Sequence, residues 1–343
     1  MSLELKLTQH ALSQLKDLYA AKAAILRAME VIRRDTGSSS YDSLNEPWAN
    51  SSALFENREV GEAKFSIRYI YDYRDDGSPI IYYGLIDEER KINLNLGNLD
   101  NLGRLMNNLM RALDKPDKSV TLTPQIIDSI IDWRDPPSDE EASLYDYPCR
   151  NGEFKVLEEL LLLKGVKEIE EREARLKKFQ DLGRYLTIYG DGKINVNTAS
   201  LEILEAVIPL VIADVTKAIS EYVKREFGIN IVINVKGEPS QIAGQIFERI
   251  HENAGGAFAT IDELLDYFLS DILELPTAEL PPDILAGLLS IIKTIIEPEF
   301  SKWLKTDSQF FQANVEAQIK QVIKKQATVV FDRGQKTWYW NED

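Results

Sequence analysis

Carboxylates are the side chains in this sequence best placed to do chemistry. Asp128 and Asp132 stand four apart, so a helix would set both on one face. A carboxylate pair can divide the acid and base work of glycoside cleavage. Asp87, Glu88 and Glu89 cluster where a β-prone run ends. The densest group lies in the loop Asp135-Pro136-Pro137-Ser138-Asp139-Glu140-Glu141, followed by Asp146. Such a loop offers oxygens to a hard cation. It lacks the EF-hand spacing and its glycine, and acidic runs are usually solvated surface. Other chemistries find few residues. Cys149 is the only cysteine, which excludes an internal disulfide and a cysteine zinc site. His10 and His251 are the only histidines, which leaves almost no imidazole for a zinc hydrolase or a His-based triad. Gly190-Asp191-Gly192-Lys193 lacks the upstream glycine and the following hydroxyl residue of a phosphate-binding loop. No catalytic constellation emerges, and the chain reads as a non-enzyme.

The elements that would position these groups come from composition and periodicity. A chain of 343 residues makes roughly two domains. Apolar residues at 44% and charged residues at 28% are ordinary for a globular protein. Acids outnumber bases by 56 to 40, a net charge of -16, which repels phosphate backbones. No apolar run approaches the roughly 20 residues that cross a bilayer, and no signal peptide is visible. After Met1-Ser2-Leu3 a helical pattern starts with no capping sequence, as if the helix continued from a segment upstream.

Leu12, Leu15, Leu18, Tyr19, Ile25, Leu26, Met29 and Ile32 recur at helical steps, and Arg33, Arg34 and Gly37 close the pattern. The spacing predicts one amphipathic helix over residues 5–34. Phe65, Ile67, Tyr69, Tyr71 and Tyr73 then alternate with polar residues as in a half-buried strand. Asp75-Asp76-Gly77-Ser78-Pro79 turns into a second strand, Ile80 to Ile86. The β pattern returns at Phe310–Ile323, Ala327–Phe331 and Thr337–Trp340. Residues 64–90 and 307–341 are therefore expected to form one antiparallel sheet against the helix. Nearly everything between reads helical. The predicted fold class is α+β, with residues 1–97 and 306–343 forming one small domain around a helical insertion at 98–305.

The insertion carries a duplication. Lys91-Ile92-Asn93-Leu94-Asn95 reappears as Lys193-Ile194-Asn195-Val196-Asn197. Phe154–Leu161 reappears as Phe258–Leu265 at nearly the same offset. Two related helical subdomains follow, about 98–190 and 191–305. Asn95 and Asn197 precede helical patterns, where short amides satisfy free backbone N–H groups.

Taken in order, several segments resemble the type II secretion system protein K family, the large minor pseudopilins also called general secretion pathway protein K. They are Tyr41-Asp42-Ser43-Leu44-Asn45-Glu46-Pro47-Trp48, Gly84–Asn95, Ile127–Asp135, Tyr147-Pro148 with Asn151, Leu157-Glu158-Glu159-Leu160 and Gly192–Ala199. The resemblance runs from about Leu12 to Trp340. It implies a pilin-like domain, a long N-terminal helix on a small antiparallel sheet, with a large helical insertion. It implies no enzymatic activity, and a place at the tip of a periplasmic pseudopilus, where the subunit starts or caps the fibre with other minor pseudopilins. It also implies a bacterial inner-membrane anchor ahead of Leu5. Calcium is the cofactor the resemblance adds, with Asp135, Asp139 and Glu141 as leading ligands and Asp146 beside them. The partners are expected on the helix, at Leu5, Leu7, Leu12 and Leu15, whose apolar stripe exceeds what a small sheet covers.

A different class competes for the second repeat. Lys193–Glu202 also resembles the opening of helix-hairpin-helix modules, which hold phosphate with the backbone N–H groups of a glycine hairpin. The corresponding stretch, Ile208-Pro209-Leu210-Val211-Ile212-Ala213-Asp214, has no glycine and ends on an acid. It reads as a related fold without the nucleic-acid site.

Overall fold

The computed structural model describes residues 3–74, 76–115, 120–136, 149–252, 256–275, 281–319 and 323–342. The chain divides into two units, Met1–Glu88 with Asp307–Asp343, and Glu89–Thr306.

In the first unit a single helix, Leu3–Thr36, packs on an antiparallel sheet. Strand order is Arg58–Val60, Ala63–Ile67, Phe310–Ile319, Ile323–Asp332, Thr337–Glu342, and Ile86–Asp87 pairs beside Phe311 and Gln312. Helix and sheet meet through small residues. Ala20, Ala21, Ala24 and Ala28 are buried with Ala313, Ala317 and Val315 of the central strand, while Ile25, Met29 and Ile32 complete the face. Alanines on both sides let the backbones approach and exclude water from a thin core.

The sequence motif Tyr41–Trp48 builds the corner between helix and sheet. Trp48 is fully buried and meets Phe311 edge-on at 5.2 Å. The Trp48 Nε1–H donates to Glu46 Oε2 at 3.2 Å, and the Leu85 N–H donates to the Trp48 carbonyl at 2.9 Å. Gly84 permits that approach, because a Cβ there would sit 2.2 Å from the Ala49 carbonyl oxygen.

One expectation about the sheet is corrected. The alternating run from Lys64 to Tyr73 is not one strand. Ala63–Ile67 belongs to the main sheet, but Tyr69–Tyr73 leaves it and pairs with Pro79–Tyr82 in a separate hairpin. The hairpin register shifts between Ile70 and Asp72, leaving Tyr71 as an extra residue that stacks on Tyr82 at 4.2 Å. Cross-strand tyrosine packing holds this hairpin together without the sheet.

The second unit is mostly helical and built twice on one plan. Each half opens with a two-residue strand that pairs in parallel with a two-residue strand closing the same half. Ile92–Asn93 pairs with Leu186–Thr187, and Ile194–Asn195 pairs with Leu304–Lys305. Between them run Leu99–Leu113, Pro124–Arg134, Leu157–Leu162 and Arg172–Leu182 in the first half. The second half has Leu201–Phe227, Pro239–Glu252, Ile261–Tyr267 and Pro282–Ser301. Lys91–Asn95 thus joins the helical unit through its strand partners, not the β unit that precedes it.

The repeated asparagines hold each half closed. Asn95 accepts from the Phe154 N–H at 2.9 Å and donates to the Phe154 carbonyl at 3.0 Å. Asn197 does the same with Phe258, at 2.8 and 2.9 Å. They do satisfy free backbone groups, but of a distant phenylalanine instead of the helix that follows. The first helix is capped instead by Asn98, whose side chain accepts from the Asn101 N–H at 2.9 Å. In both halves a glutamate four residues on from the N–H closes the turn. Glu159 accepts from the Lys155 N–H at 3.1 Å and Glu263 from the Ala259 N–H at 2.9 Å.

Candidate partner interface

The long helix carries two apolar faces. Positions 21, 25, 28 and 32 are spaced by fours and threes and point into the core. Positions 12, 15, 19 and 26 keep to one narrow face on the opposite side. There Leu12 is 51% exposed, Leu15 49%, Tyr19 62% and Leu26 67%. Large apolar side chains scattered singly on a surface need no explanation, but four aligned along one helix face form a stripe. The single amphipathic stripe read from the sequence is therefore two stripes. Ile25, Met29 and Ile32 are core, whereas Tyr19 and Leu26 belong with Leu12 and Leu15 on the outside. The separating signal is the alanine series, which shares the inner face with Ile25, Met29 and Ile32.

No described side chain ahead of Tyr19 is buried, and Lys16 bonds outward to Glu62 at 2.7 Å, on the turn between the first two strands. From Ala20 onward the helix is seated on the sheet. Its last turns carry an ion-pair cluster within the helix. Arg33 and Arg34 both donate to Glu30 at 2.7 Å and hold that carboxyl down at about 2. The stripe thus runs from the exposed start of the helix onto the seated part. Of the expected partner residues, Leu12 and Leu15 lie on it; the side chains of Leu5 and Leu7 lie outside the described residues.

Several of the carboxylates singled out for chemistry are engaged in contacts within the fold. Asp87 accepts from Ser308 Oγ at 2.7 Å within the first unit. Glu89 accepts from Lys305 Nζ at 2.5 Å within the second. Asp128 is exposed, while Asp132 faces Cys149 Sγ at 3.6 Å. Asp135 ends the helix Pro124–Arg134, its N–H donating to the Ile131 carbonyl at 2.8 Å. Asp139, Glu141 and Asp146 lie outside the described residues. The stretch Ile208–Asp214, where a helix-hairpin-helix module would place its phosphate-binding turn, is the interior of the helix Leu201–Phe227. Asp214 there accepts from Lys302 Nζ at 2.6 Å and from Trp303 Nε1 at 2.8 Å.

No helix among the described residues is long and apolar enough to cross a membrane. No family model matches the sequence, and no curated protein matches it. The fold does have a solved counterpart. A chain of the GspK-GspI-GspJ complex from the enterotoxigenic Escherichia coli type 2 secretion system is 13% identical, with a TM-score of 0.57, over 98% of this chain and 99% of that one. The fold of this chain is GspK-like: a pilin-like helix and sheet with a duplicated helical insertion.

Proposed function

We infer that the chain is a structural minor pseudopilin of a type II secretion system, assembling with other minor pseudopilins at the tip of the pseudopilus. The observation that carries this reading is the likeness, over almost all of both chains, to a chain of a complex of three secretion-system proteins. The outward stripe Leu12, Leu15, Tyr19 and Leu26 supports it, because it gives long partner helices an apolar face to lie along. The subunit starts or caps the fibre and does no chemistry of its own. Its described part sits in the periplasm and an apolar segment holds it to the inner membrane; protease accessibility in spheroplasts tests that placement.

The acidic loop is part of the same reading. Asp135, Asp139, Glu141 and Asp146 bind calcium there, on the strength of the resemblance to the protein K family. Calcium bound only by the folded chain raises the melting temperature by mass action. Asp139→Ala should remove this loop's share of the rise.

The test of assembly is to mix the chain with the two other minor pseudopilins of the same bacterium and follow complex formation by size-exclusion chromatography. A complex burying about 1,200 Å² or more is the floor for a specific interface. Three proteins that elute separately at micromolar concentration would sink the reading.

A further inference from the structure

We propose that a cleft in the helical unit, between the start of the helix Pro124–Arg134 and the helix Arg172–Leu182, binds a small amphiphilic carboxylate, a fatty acid of medium chain length. The cleft offers about 340 Å³, at the lower end for a small-molecule site. Ile126 lines it from the first helix, Ile169 from the turn between, and Ala174 and Lys178 from the second helix. The turn is built by its own backbone, with the Lys167 N–H donating to the Leu163 carbonyl at 2.8 Å and the Ile169 N–H to the Val166 carbonyl at 3.1 Å. Gly165 lets it close on the first helix. Its φ is +85°, and a Cβ there would sit 2.9 Å from Ile126 Cγ1. Gln125 Nε2 donates to Glu168 Oε2 at 3.2 Å and ties turn to helix.

Lys178 brings an unbalanced charge into this cleft. Its Nζ donates to the Thr121 carbonyl and to Thr121 Oγ1 at 2.9 Å, and among the described residues it forms no ion pair. An ammonium carries three N–H bonds, so one is left for a ligand. The other charges lining the cleft cancel, because Lys177 pairs with Asp181 at 3.1 Å. Thr123, the N-cap of the first helix, lines the same cleft, and a helix start adds partial positive charge. Burial pushes the Lys178 amine below the usual lysine range, with Asp181 and Lys177 acting on it in opposite directions. A half-buried ammonium has lost water that no counter-ion replaces.

The ligand that matches carries one negative charge on an apolar body. An inorganic anion would answer the lysine but leave Ile126, Ile169 and Ala174 against water. An alcohol would cover those side chains and leave the ammonium without a counter-charge. A monocarboxylate with an apolar tail does both: its oxygen takes the third N–H in a charge-assisted bond, and its tail lies on the apolar walls. The residues involved are separate from the helix stripe, so the site stands or falls independently of the assembly reading.

The experiment titrates the whole chain with sodium decanoate, below the concentration at which it forms micelles, by isothermal titration calorimetry. Decanoate should bind saturably at a single site, and decanol should bind about tenfold or more weakly. Lys178→Met keeps the apolar stem without the charge; it should weaken decanoate by about tenfold or more and leave decanol unchanged. Ala174→Trp, at an exposed helix position, fills the cleft and serves as the second variant, with folding of each checked by circular dichroism. Absence of saturable decanoate binding to the unsubstituted chain overturns the proposal, whatever the variants do. So does equal affinity for decanoate and decanol, or decanoate binding that both variants retain. A peptide ending in leucine that binds through its free carboxylate where decanoate does not assigns the cleft to chain ends, and also overturns it.

Discussion

Asn95 and Asn197 perform the same task at equivalent points of the duplication, yet in different surroundings. Asn197 is fully buried and also reaches the Thr306 carbonyl at 3.4 Å, whereas Asn95 is half-buried. Asn197→Ala leaves the buried Phe258 N–H without an acceptor, which should cost about 1–3 kcal/mol. Asn95→Ala, with water closer at hand, should cost less; urea denaturation of the two variants side by side measures the difference. Gly84→Ala belongs to the same scale. Its new methyl would meet backbone, so the corner must move, and a loss of about 1–3 kcal/mol or more is expected. The polar character of the asparagines is legible in the sequence, and so is their repetition. Their partners are not, because Phe154 and Phe258 lie far along the chain and a local pattern carries no information about distant contacts. The contact between Lys178 and Thr121 is invisible for the same reason.

At the scale of elements, periodicity locates the long helix, the C-terminal strands and the doubled insertion. It fails in two places. Alternation runs unbroken through Arg68, so no local pattern marks where the tyrosine hairpin leaves the sheet. Large apolar residues on the helix pool into one face as long as alanine is not counted as core. The two-faced helix makes opposite predictions for its two sides. Leu26→Glu adds a charge where the side chain is already in water and should change stability by no more than about 0.5 kcal/mol. Ala24→Leu forces bulk between helix and sheet and should cost about 1–3 kcal/mol. Thermal melts of the two variants check this directly. If Leu26→Glu unfolds the chain as readily as Ala24→Leu, the outward stripe is not outward.

The whole molecule combines a helix seated on a sheet with a large helical insertion. Fold likeness at 13% identity fixes the architecture; the claim beyond it is that the exposed face of the helix is where partners bind. The direct measurement is binding of Leu12→Glu to the two other minor pseudopilins, compared with the unsubstituted chain by calorimetry or analytical ultracentrifugation. The substitution puts a charge into the apolar stripe at an exposed position, which should spare the fold. Assembly should weaken by about tenfold or more, equivalent to about 1.4 kcal/mol, with the melting temperature unchanged. Equal affinity in the two chains would contradict the account.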